Sequence, residues 1–205
     1  MKKTKLVALL TAVLCSATPV MSVSAATLSE VIPNGSTEVK ANIIDPGSVN
    51  YIITIPDTAD FGTLTQPEDD KNPHYVFNNF EVVATELNIQ NNQCVSIFMK
   101  DAEADDNQFY ISQQGVDNPF KLQYDVYGSM VDESNIAGQT ALNNPINSPG
   151  SSGYHLCTFT HGTAGSIQYV TLALDQNALC NQNLSEIAGD YSGFITFHSA
   201  VIRMS

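Results

Sequence analysis

The chain has 205 residues, 43% of them hydrophobic and 14% charged, and its 21 acidic against 8 basic side chains give a formal net charge of −13. A surface of that sign repels nucleic acid and anionic lipid, so neither is expected as a partner. The length is that of one ordinary domain with a real hydrophobic core.

The first residues read as an export signal. Lys2, Lys3 and Lys5 form a positive start, Leu6 to Leu14 form a short apolar run, and Val23-Ser24-Ala25 offers small residues for cleavage after Ala25. The apolar run falls short of the roughly 20 residues that an uncleaved anchor needs, and Pro19 lies within its flank. A lipoprotein signal at Cys15 is disfavoured by the bulky Leu14 before it. Loss of residues 1–25 removes three lysines and no acid, leaving five basic against 21 acidic residues, a net −16. The expected organisation is a signal peptide at 1–25, a flexible polar leader at 26–36 carrying Pro33-Asn34-Gly35, and a single domain at 37–205. There is no second apolar run, so no membrane span is expected. The C-terminal residues Val201 to Ser205 carry no sortase signal, and the expected location is secreted or cell-surface.

The rest of the chain reads as short strands between polar turns. Thr37 to Ile43 alternates as T-E-V-K-A-N-I. Val49 to Ile55 alternates again, with Val49, Tyr51, Ile53 and Ile55 on one face, until Pro56 removes a donor. Phe61 to Leu64 starts another short segment, and Thr65 to Pro73 is a loop with acids Glu68, Asp69 and Asp70. Tyr75 to about Ala84 reads as strand, followed by a bend. Cys94 to Met99, Phe109 to Ile111 and Phe120 to Tyr127 follow, the last with Phe120, Leu122, Tyr124 and Val126 on one face. Gly128 to Gly153, rich in Asn, Ser, Gly and Pro, is the longest irregular stretch, and loops of that length are functional or disordered. Tyr154 to Phe159, Ser166 to Leu174 and Asp190 to Ile202 are strands. Both faces of Ser166 to Leu174 are apolar, which places it centrally in a sheet. Only Asn183 to Ala188 has helical character. About eight or nine strands with almost no helix predict an all-β protein, an antiparallel β-sandwich of the immunoglobulin-like or adhesin-like kind.

Three cysteines outlast cleavage: Cys94, Cys157 and Cys180. An odd number allows at most one internal bridge. Three pairings are open, and Cys157 with Cys180, which closes the shortest loop, is the preferred structural disulfide.

Two segments carry a resemblance. Tyr51 to Leu64, Y-I-I-T-I-P-D-T-A-D-F-G-T-L, holds an I-P-x-x-x-D-F-G strand end, and Ile187 to Phe197, I-A-G-D-Y-S-G-F-I-T-F, holds an A-G-x-Y-x-G-x-I-x-F final strand. The pair resembles secreted bacterial surface proteins, mostly Gram-positive, with adhesin-like β-sandwich domains, and is distantly similar to WxL-type domains. The chain has no Trp, and Ile97-Phe98-Met99 and Thr196-Phe197-His198 stand where WxL domains carry theirs. The fold is therefore what the resemblance implies, and peptidoglycan binding of the WxL kind is not. Gly189 is expected to permit a turn, and Tyr191 to send its hydroxyl to a nearby backbone group.

The chemistry-bearing residues form no catalytic pattern. His74, His155, His161 and His198 lie outside any H-E-x-x-H helix, and no G-x-S-x-G elbow or phosphate loop is present. A metal held by two histidines and a cysteine, with His155, His198 and Cys157 as the nearest set, is the weaker reading of scattered surface histidines. Asp101 to Asn107, the densest acid run, departs from the EF-hand pattern at Asp106 and Ser112 and reads as a solvated turn. No catalytic residue, cofactor or metal is expected, and the chain is expected not to be an enzyme. The expected role is adhesion or structure at the surface or in a matrix. Its partner would be a host or matrix protein, a glycan, or neighbouring copies of itself. A cell-wall or carbohydrate-binding module, using Tyr75, Tyr110, Tyr127 and Tyr154, is the alternative, and a secreted metal-dependent hydrolase stands behind it.

Overall fold

A computed structural model describes residues 49–204. The signal segment 1–25, the leader 26–36 and the strand expected at Thr37 to Ile43 lie outside the described residues. The described chain is an all-β structure of nine strands in two antiparallel sheets. In order they are β1 (Asn50–Thr54), β2 (Tyr75–Asn88), β3 (Gln93–Asp101), β4 (Phe109–Gln113), β5 (Lys121–Tyr127), β6 (Tyr154–Thr160), β7 (Ile167–Asp175), β8 (Tyr191–Ser192) and β9 (Ile195–Arg203). One sheet has six strands in the order β1-β2-β7-β5-β4-β8, and the other has three, β6-β3-β9.

The alternation of apolar residues decides which side chains meet. Val82 and Ala84 of β2, Leu122, Tyr124 and Val126 of β5, and Val170, Leu172 and Leu174 of β7 form the inner face of the larger sheet, all buried. Val95, Ile97 and Met99 of β3 meet them from the smaller one, also buried. β7 sits between β2 and β5, as its apolar faces predict. The edge-to-face pair of Phe80 and Phe197, centroids 6.2 Å apart, ties the two sheets together.

β2 runs four residues past the bend expected after Ala84. Tyr75 to Val83 pair with β7, and the strand then continues along β1, with Glu86 opposite Ile52 and Asn88 opposite Asn50. Phe61 to Leu64 is not a strand; Gly62, at φ +70°, turns the chain there, and its N–H donates to Asp60 Oδ1 at 2.7 Å. The single strand expected from Asp190 to Ile202 is two strands in different sheets. β8 pairs with β4 and β9 pairs with β3, and the chain changes sheet at Gly193 and Phe194.

The long segment 128–153, though mostly exposed, is anchored on the larger sheet. Val131 and Ala141 are buried with Tyr127 and Ala173 on the outer face of the larger sheet. Asn143, 1% exposed, accepts from the Val126 N–H at 3.1 Å and donates to the Tyr124 carbonyl at 3.2 Å. The Val131 N–H donates to the Thr171 hydroxyl at 2.9 Å. These bonds explain how a segment so rich in Asn and Ser folds onto a sheet: its polar side chains satisfy backbone groups that would otherwise be buried unpaired.

Glycine is required where the chain changes sheet. A Cβ on Gly193 would lie 2.2 Å from the Tyr110 carbonyl oxygen, which belongs to the β4 backbone. Gly193→Ala should therefore lower the unfolding free energy by about 1–3 kcal/mol, the usual cost of forcing atoms into a packed site. Urea unfolding measures it; a variant as stable as the parent would show that β8 and β9 do not cross as described.

Candidate binding groove

The two segments that carry the sequence resemblance come together in space. Residues 56–66 form one wall of a cavity of about 1080 Å³, and residues 187–195 form the other. The floor is the inner face of the larger sheet: Phe80, Ile111, Leu122, Tyr124 and Leu172. Ile195 and Phe197 bring β9 to the margin of this groove, and β9 is an end strand of its sheet. The floor strands belong to the interior of a six-stranded sheet, while among the described residues the opposing sheet ends at β9.

Neither wall is part of a strand ladder over most of its length; side chains hold both. The Asn78 amide donates to the Asp60 carbonyl at 2.8 Å, Phe61 packs on Tyr124 with centroids 5.5 Å apart, and Gln66 Nε2 donates to the Leu179 carbonyl at 2.7 Å. On the opposite side a single helical turn, α1 (Leu184–Ile187), is capped by Asn183, whose side chain accepts from the Ser185 N–H at 3.2 Å. Gly189 follows at φ +146°, the turn expected of it. The Tyr191 hydroxyl donates to the Ile187 carbonyl at 2.6 Å, again as expected. Gln113 Nε2 adds bonds to the Glu186 and Ala188 carbonyls at 3.1 and 3.3 Å.

The groove is deep and mostly apolar. Leu122, Leu172 and Tyr124 stay buried on its floor, while Leu184 and Phe194 on its rim are 45% and 53% exposed. Asp57, Asp60 and Asp190 supply its carboxylates, and its lining includes neither histidine nor cysteine. Burial, with Asp101 adding to it, holds the Tyr124 phenol well above its ordinary range. Burial also raises the Tyr191 phenol. At neutral pH both are uncharged, and the Tyr191 hydroxyl keeps the proton it donates. Sequence reading found the two walls and gave them fold roles. It read Phe194 only within the second landmark, as a residue covering the core, and missed Leu184 just before it; both are large apolar side chains left exposed on the rim.

The other chemistry-bearing residues do not converge. Cys94, Cys157 and Cys180 are free thiols, so the bridge expected between Cys157 and Cys180 is not formed. Cys157 lies inside the core on β6 opposite Ile97, whereas Cys180 follows β7 and its sulfur approaches the Pro67 carbonyl at 3.9 Å. His155 and His198 flank Phe98, with ring centroids 5.5 and 6.3 Å from it. Cys157 faces the core instead of joining them. Among the described residues no three His, Cys, Asp or Glu side chains are placed to hold a metal ion. In the acid run, Asp101 accepts from the Glu103, Ala104 and Tyr110 N–H groups, so its carboxylate closes a turn. Asp106 accepts from the Tyr110 hydroxyl at 2.7 Å, which holds its carboxyl below the usual range. Of the four tyrosines named for glycan stacking, Tyr127 and Tyr154 are buried in cores and cannot stack on a ligand. Among the described residues no helix is long and apolar enough to cross a membrane.

Neither a family model nor a curated protein matches the chain. Among solved structures, one reported for a chaperone–tip adhesin complex in CFA/I fimbriae biogenesis aligns at a TM-score of 0.44 and 17% identity, over 76% of this chain and 42% of that one. The chain thus spans less than half the length of that structure.

Three outcomes test this geometry. Burial pushes the Cys157 thiol up to about 12, so a thiol reagent at neutral pH should label the half-exposed Cys180 first and reach Cys94 and Cys157 only on unfolding. A mass 2 Da below the reduced value, from a Cys157–Cys180 bridge, would contradict it. Tyr191→Phe removes one hydrogen bond from the groove wall and should lower stability by about 1 kcal/mol, read from the denaturation midpoint. Stability should also fall as pH rises from 10 towards 12. Burial raises the Tyr110 and Tyr127 phenols to about 12, so the unfolded chain loses these protons first.

Proposed function

We propose that this chain is an exported, non-catalytic protein of the cell surface or extracellular matrix, adhesin-like in role, and that its working part is the groove between the two landmark segments. The observation that carries the reading is an apolar slot running beside the outer edge of β9, which no strand among the described residues pairs with. An extended peptide laid in such a slot gains main-chain hydrogen bonds from the edge strand and places alternate side chains in pockets, which gives affinity with little sequence signature. A host, matrix or neighbouring protein supplies such a segment. The carboxylates around the slot favour segments with a basic residue on the outward face. Export by the signal at residues 1–25 and a strongly acidic, soluble body fit work outside the cell.

The test uses the exported protein against a panel of surface proteins, matrix proteins and glycans. Leu184→Ser and Phe194→Ser change exposed rim residues and leave the core intact. Each should weaken binding of any partner found by roughly tenfold, about 1.4 kcal/mol, with an unchanged circular dichroism spectrum. Undiminished binding in both variants would place the partner site elsewhere.

A further inference from the structure

The outer face of the larger sheet holds a second, smaller core, and two carboxyl groups stand at its margin. Tyr127 of β5 and Ala173 of β7 are buried there with Val131 and Ala141 of segment 128–153, and Tyr75 and Phe77 of β2 pack alongside. Asp125 lies opposite Ala173 in the ladder of β5 and β7, and Asp175 follows Ala173 by two residues. Alternation turns both acids to this outer face, as diagonal neighbours on adjacent strands. Both are half-buried.

The two are held differently. Asp175 Oδ1 accepts from the His74 and Asn177 N–H groups, each at 3.0 Å, so main-chain donors support its charge. Asp125 accepts from the Asn143 side-chain amide at 3.3 Å, and that amide also serves the Tyr124 carbonyl at 3.2 Å and Gln108 Oε1 at 3.0 Å. Among the described residues neither acid has an ion-pair partner. The groups around Asp125 are Asp175 of β7, the phenols of Tyr75 on β2 and Tyr127 on β5, and the amides of Asn143 and Gln108. Burial and the two carboxylates raise the Tyr75 phenol, and burial and Asp125 raise that of Tyr127, so both are neutral at neutral pH. His74 is exposed and meets Asp175 through its main-chain N–H, Lys121 of β5 lies over the Tyr110 ring, and the acids of the segment itself, Asp132 and Glu133, are exposed.

An ionised Asp125 in this place has lost water and faces a like charge. Burial is the main cause that raises its carboxyl above the ordinary aspartate range; the Asn143 bond works against the rise and Asp175 adds to it. When the segment lifts, Asp125 regains water. The seated form therefore binds the proton more tightly than the lifted form. The added hold is complete below the ordinary aspartate range and is lost as pH rises through the higher value of the seated form.

We propose that Asp125, set between Asn143 and Asp175, is an acid-operated latch: taking up a proton fastens segment 128–153 to the larger sheet, and losing it loosens the segment. The latch lies on the outer face of that sheet, whereas the groove floor is its inner face, so the inference does not depend on the groove.

Amide hydrogen exchange of the full chain tests it, read residue by residue at pH 7 and at about pH 4.5 and normalised to each amide's intrinsic rate. The lower value stays above the ordinary aspartate range. Asp132, which bonds from Ser134 hold below that range, therefore keeps its charge throughout. The reporters are the Val126 N–H, bonded to Asn143 Oδ1, and the Val131 N–H, bonded to the Thr171 hydroxyl. In the parent their protection should rise roughly fivefold on acidification. Asp125→Asn keeps an oxygen for Asn143 and removes the charge; its protection should already be high at pH 7 and change by less than about twofold. Asp175→Asn keeps an acceptor for His74 and Asn177 and should shrink the parent's response. The carboxyl carbon resonance of Asp125 in the parent should titrate above the ordinary aspartate range, a readout that stands even if Asp125→Asn fails to fold. Three results overturn the proposal: parent protection that is flat or falls on acidification, an Asp125→Asn variant that responds as the parent does, or an Asp125 carboxyl that titrates at or below the ordinary range.

Discussion

A sheet can keep its apolar face from water only beneath a cover as wide as itself. Here six strands face three. The deficit is made up unevenly. Segment 56–66, held by Asn78 and by the packing of Phe61 on Tyr124, lies over part of the exposed inner face. The turn around Ile187 to Tyr191 lies over another part. Between them runs the groove. The outer face of the same sheet has a different solution, since segment 128–153 folds down upon it with Val131 and Ala141 buried. The fold thus closes one side of its larger sheet with its own chain and leaves a slot on the other.

The shape and lining of the slot are what the proposed binding of an extended chain rests on. Its walls are backbone-rich, its floor is apolar, and its charges are carboxylates without a histidine or thiol beside them. An edge strand that no described strand covers is open to pairing with a suitable neighbour. An acidic body limits indiscriminate pairing by like-charge repulsion.

Much of this was legible in the sequence where one strand's alternation suffices. The inward residues of β1, β5 and β7 follow from period 2, and the central place of β7 follows from its two apolar faces. Gly189 and the Tyr191 hydroxyl behave as a local reading expects. What failed depends on partners distant in sequence. Asp190 to Ile202 reads as one strand because nothing local marks the change of sheet; the reason for it, the Tyr110 carbonyl lying against Gly193, is some 80 residues away. Phe61 to Leu64 has strand composition but packs on a sheet without joining one. The polarity of 128–153 suggests exposure, and most of its residues are exposed, yet Val131, Ala141 and Asn143 are buried against the sheet, and the Asn143 side chain is spent on the β5 backbone. The two landmark motifs were visible, but that they face each other across a groove was not.

Amide hydrogen exchange along β9 tests the central claim most directly. If the outer edge of β9 is an unpaired acceptor for an extended segment, the Ile195–Arg203 amides that point away from β3 exchange fast in dilute protein, and they slow by roughly tenfold or more once a segment occupies the groove, while β3 and β7 amides keep their protection throughout. Equal protection of those β9 amides with the groove empty and filled would contradict the account.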